Sequence, residues 1–351
     1  MSARLTVDME VQGRKPLACD ACGATFLGGG GEVCSACGAG MLEAAEVHAL
    51  GEPERHVPDG LGRTGVEKAL VSSVSAVRYR TAQLAVPTLM ERAQLSWWPL
   101  WMVDGELLGT WRGRAGTDYE VQSSREVLQG GVWVTKPHID TRIDWVDRVG
   151  QVRTSYDNVI VTALRAHDRW AERLGGLDGA RAVEGEVGQG VIRLPDRHPR
   201  EARPGAEAAF HRLAARQAHE ALGSDHLADV VIDGSLRQEE WTWLLVPAWT
   251  TWYDDDAGER RALWVSGVTG RVWGPRMASQ RKGLYWAALW VVLGLGCLAG
   301  SVVVGLVGIV LWPLLLLAAV GGLLGLLLMV LALVPVLTPW RHNRTQAAMT
   351  P

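Results

Sequence analysis

Phenylalanine is almost missing from this chain, with two in 351 residues against 17 tryptophans, and only four of the 35 basic residues are lysine. Indole must therefore supply most aromatic packing, and the arginine bias fits a GC-rich bacterial genome. Also missing are a Gly-x4-Gly-Lys-Ser/Thr phosphate loop, a dinucleotide-binding glycine turn after a strand and a Gly-x-Ser-x-Gly nucleophile elbow. The nine histidines are dispersed. His211 and His219, eight apart with no placed carboxylate, read as solvated surface. Asp254, Asp255 and Asp256 form an acidic tip that a solvated turn explains better than a cation site. No residue set stands out as catalytic, so the chain reads as non-enzymatic.

The most informative absence is charge. Between Lys282 and Arg341 lie 58 consecutive residues without Asp, Glu, Lys or Arg, so all 73 charged residues fall in the other 293. That density is ordinary globular composition and excludes a disordered chain. With one short apolar region, a polytopic transporter is excluded too. A single helix of that length would run roughly 87 Å, against a hydrocarbon core of about 30 Å, whereas two spans with a connection fit. The spans are expected over 284–304 and 314–336, with Gly305, Gly308, Trp312 and Pro313 at the turn. The whole transmembrane hairpin covers 284–340, and a basic tail, 341–351, follows.

Arg276, Arg281 and Lys282 precede the hairpin and Arg341 and Arg344 follow it, which places both ends in the cytoplasm by the positive-inside rule. Trp286, Trp290 and Trp340 then belong at the cytoplasmic interface and Trp312 at the far one. The polar start of the chain reads as no secretory leader. Gly296 with Gly300, and Gly321 with Gly325, have the spacing that lets helix backbones approach. They serve span-on-span packing or, alternatively, homo- or hetero-oligomers built through the membrane helices. No ionisable side chain enters the spans, which argues against transport. The expectation is a multi-pass protein of the bacterial inner membrane, in contact with the lipid bilayer.

Four of the five cysteines form Cys19-x2-Cys22 and Cys34-x2-Cys37, each pair followed by a glycine, Gly23 and Gly38. Four thiolates at this spacing can surround one tetrahedral Zn²⁺. The glycines let the backbone turn and aim amides at sulfur. A reducing cytoplasm argues against disulfides, and a redox dithiol needs one such pair near a βαβ pattern. A closed four-sulfur site leaves no open position, so zinc is expected to be structural. Residues 1–47 thus read as a zinc ribbon with its hairpin tip at 28–31. Such ribbons often bind nucleic acid, which requires a basic surface. Here residues 1–47 carry three basic and six acidic side chains, a balance of −3. Nucleic acid is therefore disfavoured and protein contact preferred.

The remaining body is rich in tryptophan, with 13 of the 17 between Trp97 and Trp273. Gly131-Val-Trp-Val-Thr135, Thr141-Arg-Ile-Asp-Trp-Val146 and Glu240-Trp-Thr-Trp-Leu244 alternate with period two, which predicts half-buried strands. Residues 52–65 read as a linker and 66–77 as a short amphipathic helix. Phe210, Leu213, Ala214, Ala218, Ala221 and Leu222 recur at helical spacing before Gly223. Leu263 to Trp273 reads as a hairpin turning at 267–270. Trp98-Pro-Leu-Trp101 and Val246-Pro-Ala-Trp249 resemble each other, hinting at two related modules. The organisation read is a first sheet-rich cytosolic module at 48–174, an irregular Gly/Pro-rich connection at 175–205 and a second α+β module at 206–283. The fold class is α+β with antiparallel sheet, since strands do not alternate regularly with helices.

The Cys-x2-Cys-Gly ribbon, Trp98-Pro-Leu-Trp-Met-Val-Asp-Gly105, Tyr156-Asp-Asn-Val-Ile-Val161, Val246-Pro-Ala-Trp249, Val265-Ser-Gly-Val-Thr-Gly-Arg-Val272 and the terminal apolar hairpin occur in this order. Together they resemble a family of bacterial zinc-ribbon membrane proteins, some encoded beside SPFH-domain and phage-shock-type proteins. The resemblance implies Cys19, Cys22, Cys34 and Cys37 as metal ligands. It also implies a membrane-anchored adaptor whose protein partners are of SPFH or phage-shock type, acting in membrane stress. A membrane-tethered nucleic-acid binder and an accessory subunit of a membrane enzyme are the alternatives.

Overall fold

The structure, a computed structural model, describes residues 16–28, 33–38, 40–44, 51–165, 177, 179–184, 187, 189–222, 224 and 226–347. The chain is mixed α+β, with a largely antiparallel sheet, a four-cysteine cluster near its start and two long apolar helices near its end. It divides into two compact units. The first comprises Met1–Pro99, Glu172–Asp196 and Leu245–Pro351, the second Leu100–Ala171 and Arg197–Leu244. Two long strands, β5 (Gln94–Gln129) and β9 (His226–Asp254), contribute residues to both.

In the first unit β1 (Pro16–Cys19), β2 (Thr25–Leu27) and β3 (Leu42–Ala44) form a small antiparallel ribbon. Strand β2 pairs antiparallel with β8 (Val191–Arg193), which runs parallel to β5 with Ser96 opposite Val191. Short β4 (Arg55–His56) and β7 (Arg181–Ala182) pair with each other. Strand β10 (Arg260–Ser266) pairs with β9, and β11 (Val272–Trp273) completes a hairpin whose turn is pinned by Ser266 Oγ accepting from the Val268 and Thr269 amides. Within this unit Ser96 Oγ donates to the Ala248 carbonyl at 2.9 Å. Helix α1 (Gly62–Ser75) turns Val66, Leu70 and Val74 inward, and α2 (Val86–Glu91) adds Leu89 and Met90. These close over Tyr253, Leu263 and Val265 as one apolar core.

In the second unit β6 (Val132–Thr162) pairs antiparallel with β5 from Leu100–Thr162 out to Gln129–Val132, with a bulge between Val103 and Gly105. Helix α3 (Pro199–Leu222) packs on β6, where Phe210 meets Tyr156 edge-on at 5.4 Å and the Tyr156 hydroxyl donates to Gln217 at 2.8 Å. Trp101 packs between Trp241 and Trp243 and donates to the Arg197 carbonyl. Two features depart from the sequence reading. Residues 199–205 are helical, because Pro199 opens α3 where a missing amide hydrogen is tolerated. The alternating runs around Trp133 and Trp145 form strands but are exposed, at 66% and 37%. Period two identifies a strand; it does not supply a layer to cover it.

Helices α4 (Gln280–Gly308) and the continuous stretch formed by α5 (Pro313–Leu331) and α6 (Leu333–Ala347) are long and apolar enough to cross a membrane. Of the two spaced glycine pairs, Gly321 and Gly325 pack against α4 and Gly296 and Gly300 do not. A Cβ at Gly294 would lie 2.9 Å from the Gly325 carbonyl, whereas Gly296 and Gly300 face open space. The α4/α6 end is tied to the first unit's sheet. Ser279 caps α4 and donates to Asp256 at 2.9 Å, while Asp256 also accepts from the Arg281 amide. Asn343 exchanges two hydrogen bonds with the Ala278 backbone, and Gln346 accepts from the Arg276 amide. Asp254 pairs with Arg260, and Asp255 with Arg261 and the turn amides of Ala257 and Glu259. The acidic tip is thus consumed by turn and cap bonds, and its three aspartates are only partly exposed, unlike those of a solvated turn.

Leucine at Gly294 should disrupt the helix pair and lower its thermal stability in detergent, whereas leucine at Gly296 should leave it unchanged. Buried Tyr253 donates to the Pro275 carbonyl at 2.8 Å and accepts from the Met277 amide at 2.7 Å. Tyr253→Phe should cost about 1–3 kcal/mol, read as a fall in melting temperature. Burial chiefly pushes this phenol from 10 up to about 12. Its contribution is therefore complete below pH 10 and lost as pH rises through 12, so wild type should lose more stability across that window than Tyr253→Phe.

Candidate metal centre

Each cysteine pair sits on a tight turn. After Cys19 and Cys22 the chain enters the left-handed region at Gly23 (φ 68°), whose amide donates to the Cys19 carbonyl at 2.9 Å. Cys34 and Cys37 repeat the pattern at Gly38 (φ 70°), whose amide donates to the Cys34 carbonyl at 2.8 Å. A side chain is strained at that φ, which is why glycine follows each pair. The Ala36 amide points at Cys34 Sγ at 3.3 Å.

These turns bring all four sulfurs within 4.8 Å of one another, with Cys19–Cys37 and Cys22–Cys34 at 3.7 Å. None of the four is disulfide-bonded. Metal–sulfur arms of about 2.3 Å in a tetrahedron give edges of about 3.8 Å, so the donor set fits one tetrahedral ion. The crowding carries an electrostatic signature. Contact with the Cys22 and Cys37 sulfurs, reinforced by burial, drives the Cys34 thiol far above its ordinary value. Cys22 is lowered by its Cys34 contact, but Cys37 and burial outweigh this and push it up to about 12. Without a cation the cluster resists ionisation; a divalent ion among the sulfurs reverses that preference. The 28–31 tip of the ribbon falls largely outside the described residues.

The cluster is seated on the rest of the first unit. A Cβ at Gly38 would come within 2.8 Å of Trp252 Cβ, and Arg260 Nη1 donates to the Gly38 carbonyl at 3.0 Å. Arg92 and Arg260 each stack over the Trp252 ring at 3.9 Å. Gly40 lies against the Cys19 sulfur with no room for a side chain.

One residue of this environment has no counterpart in the sequence reading. Arg193 on β8 is 2% exposed, and its guanidinium lies 4.5 Å from the centre of the Trp98 ring. Its Nε and Nη1 have no hydrogen-bond partner among the described residues. Burial lowers its pKa, while Asp196 and then the thiols of Cys22, Cys34 and Cys37 raise it. Four thiolates and one divalent ion retain a charge of about −2, and a buried cation nearby offsets part of it. The only signal in the sequence is a single charge inside the apolar run Val191-Ile-Arg-Leu194.

His211 is half-buried and bonds the Gly234 carbonyl at 3.1 Å, while His219 is exposed, and the two belong to no cluster among the described residues. Comparison with protein-family models, with curated proteins and with solved structures returns no match.

Arg193→Met, which keeps volume but removes the buried charge, should lower metal retention in chelator competition. Arg193→Lys should retain most of it.

Proposed function

We propose that this chain is a bacterial inner-membrane protein whose cysteine cluster holds one structural zinc and whose sheet-rich body acts as a non-enzymatic adaptor for other proteins. Helix α4 and the α5–α6 stretch would cross the bilayer as a hairpin with both chain ends in the cytoplasm, as the flanking Arg276, Arg281, Lys282, Arg341 and Arg344 favour. The observation that carries this reading is the junction at Ser279, Asn343 and Gln346. Asn343 and Gln346 of α6 bond the backbone of Ala278 and Arg276, the Lys282 amide of α4 donates to Ser279 Oγ, and Gln346 is itself buried. A body fixed to its anchor by several bonds suits a platform held at a membrane surface better than a domain on a loose tether.

Zinc is favoured over other ions by an all-sulfur tetrahedral donor set. The resemblance to zinc-ribbon membrane proteins points to SPFH-type or phage-shock-type partners in membrane stress. Nucleic-acid binding gains no support, because the charge balance outside the apolar hairpin and tail is 33 basic against 38 acidic residues, or −5. In-cell crosslinking followed by affinity capture should enrich an SPFH-type or peripheral membrane-stress protein over a chain lacking the body. Equal recovery with both chains would refute the adaptor role.

A further inference from the structure

The ribbon formed by β5 and β6 outruns its neighbours. Strand β9 begins at His226, beside Gly116, where a Cβ would lie 3.1 Å from His226 Cβ. From Thr117–Asp144 to Gln129–Val132 the two strands continue as a pair. Among the described residues no third strand accompanies them. At about 3.4 Å per residue this arm extends roughly 44 Å, and a two-stranded ribbon is marginal in water without something to cover it.

The end of the arm is its least polar part. Residues 127–135 carry no charge, and Leu128, Val132 and Trp133 are 55%, 65% and 66% exposed. Val127 pairs with Val134, and Leu128 with Trp133, so adjacent rungs place apolar side chains on opposite faces. A groove in a partner protein covers one face of such a ribbon, whereas a fluid bilayer surface covers both. Two residues behind Val127 and Val134, on the same face, Arg125 stands directly opposite Lys136. Like charges so placed repel, and neither forms an ion pair among the described residues. Facing cations behind an apolar, Trp-bearing tip complement anionic phosphates above an acyl layer.

Depth agrees with this chemistry. Burying the Leu128–Trp133 rung takes the tip about 5–10 Å into the headgroup boundary, leaving the long basic side chains near the phosphates. The open strand edges need water, which limits insertion to that layer. Pairing with a strand of a second copy is disfavoured, because Pro137 removes a donor from β6 and charges recur along it.

We propose that the β5–β6 tip is a peripheral membrane-insertion element that docks on an anionic phospholipid surface. This is independent of the zinc and of any adaptor role. The test uses the full chain with Gln129→Cys in a Cys297→Ala background, labelled with an environment-sensitive fluorophore. The protein is reconstituted in phosphatidylcholine with or without phosphatidylglycerol, with free vesicles of the same lipid added. The Cys297→Ala chain alone controls for labelling at the cluster. Anionic membranes should shift the emission to the blue and allow quenching by spin-labelled lipid. Arg125→Gln with Lys136→Gln should weaken insertion about tenfold, Leu128→Asp or Trp133→Asp should abolish it, and Val149→Asp, exposed on β6 away from the tip, should not. An unshifted, unquenched label in both lipids would overturn the proposal. So would quenching indifferent to lipid charge, or label-to-label proximity without lipid quenching, which would indicate a second copy.

Discussion

Four sulfurs held within 4.8 Å of one another cannot all ionise unless a cation sits among them. The small ribbon of the first unit is built around these sulfurs, and its strands β1, β2 and β3 have only three or four residues each. Strands so short, joined by glycine turns, bury little apolar surface of their own; the cluster that includes Phe26 and Val191 is built around the cysteines themselves. Metal binding in such an element is folding free energy. Arg193, the seat on Trp252 and the parallel pairing of β8 with β5 then connect the ribbon to the unit that also carries the apolar helices.

The same unit shows how a sheet is fastened to the apolar helices. The fastening uses backbone amides and carbonyls of Arg276 and Ala278, satisfied by Gln346, His342 and Asn343, and the Ser279 hydroxyl, which donates to Asp256. Bonds of this kind hold orientation, since each buried group left unpaired costs about 1–3 kcal/mol. Lys282 extends the junction by donating to the Arg80 carbonyl at 2.8 Å. In the second unit the corresponding economy is reversed: α3 covers the base of the β5–β6 ribbon, and the outer rungs are left bare.

Much of this was legible in the residues themselves. Spacing alone marked Cys19, Cys22, Cys34 and Cys37, because turn geometry and metal chemistry are both local. The missing charge at 283–340 marked two long apolar helices for the same reason. What escaped depends on non-local contacts. Which glycines meet between α4 and α5 is set by helix rotation, so Gly294 and Gly325 pack together while Gly296, with equal spacing credentials, faces outward. Whether Trp133 is core or surface depends on a layer that period two cannot announce. Arg193 needed the fold, since only strand pairing sets it opposite Phe26, a member of the core built around the cysteines.

The central claim is that a bound ion organises the N-terminal ribbon and, through it, the sheet it sits on. Metal analysis of the purified full chain, paired with thermal melting before and after chelation, tests this most directly. The account predicts one zinc per chain, and loss of both zinc and stability when any one of the four cysteines becomes serine. A metal-free chain that melts as the untreated protein does would contradict it.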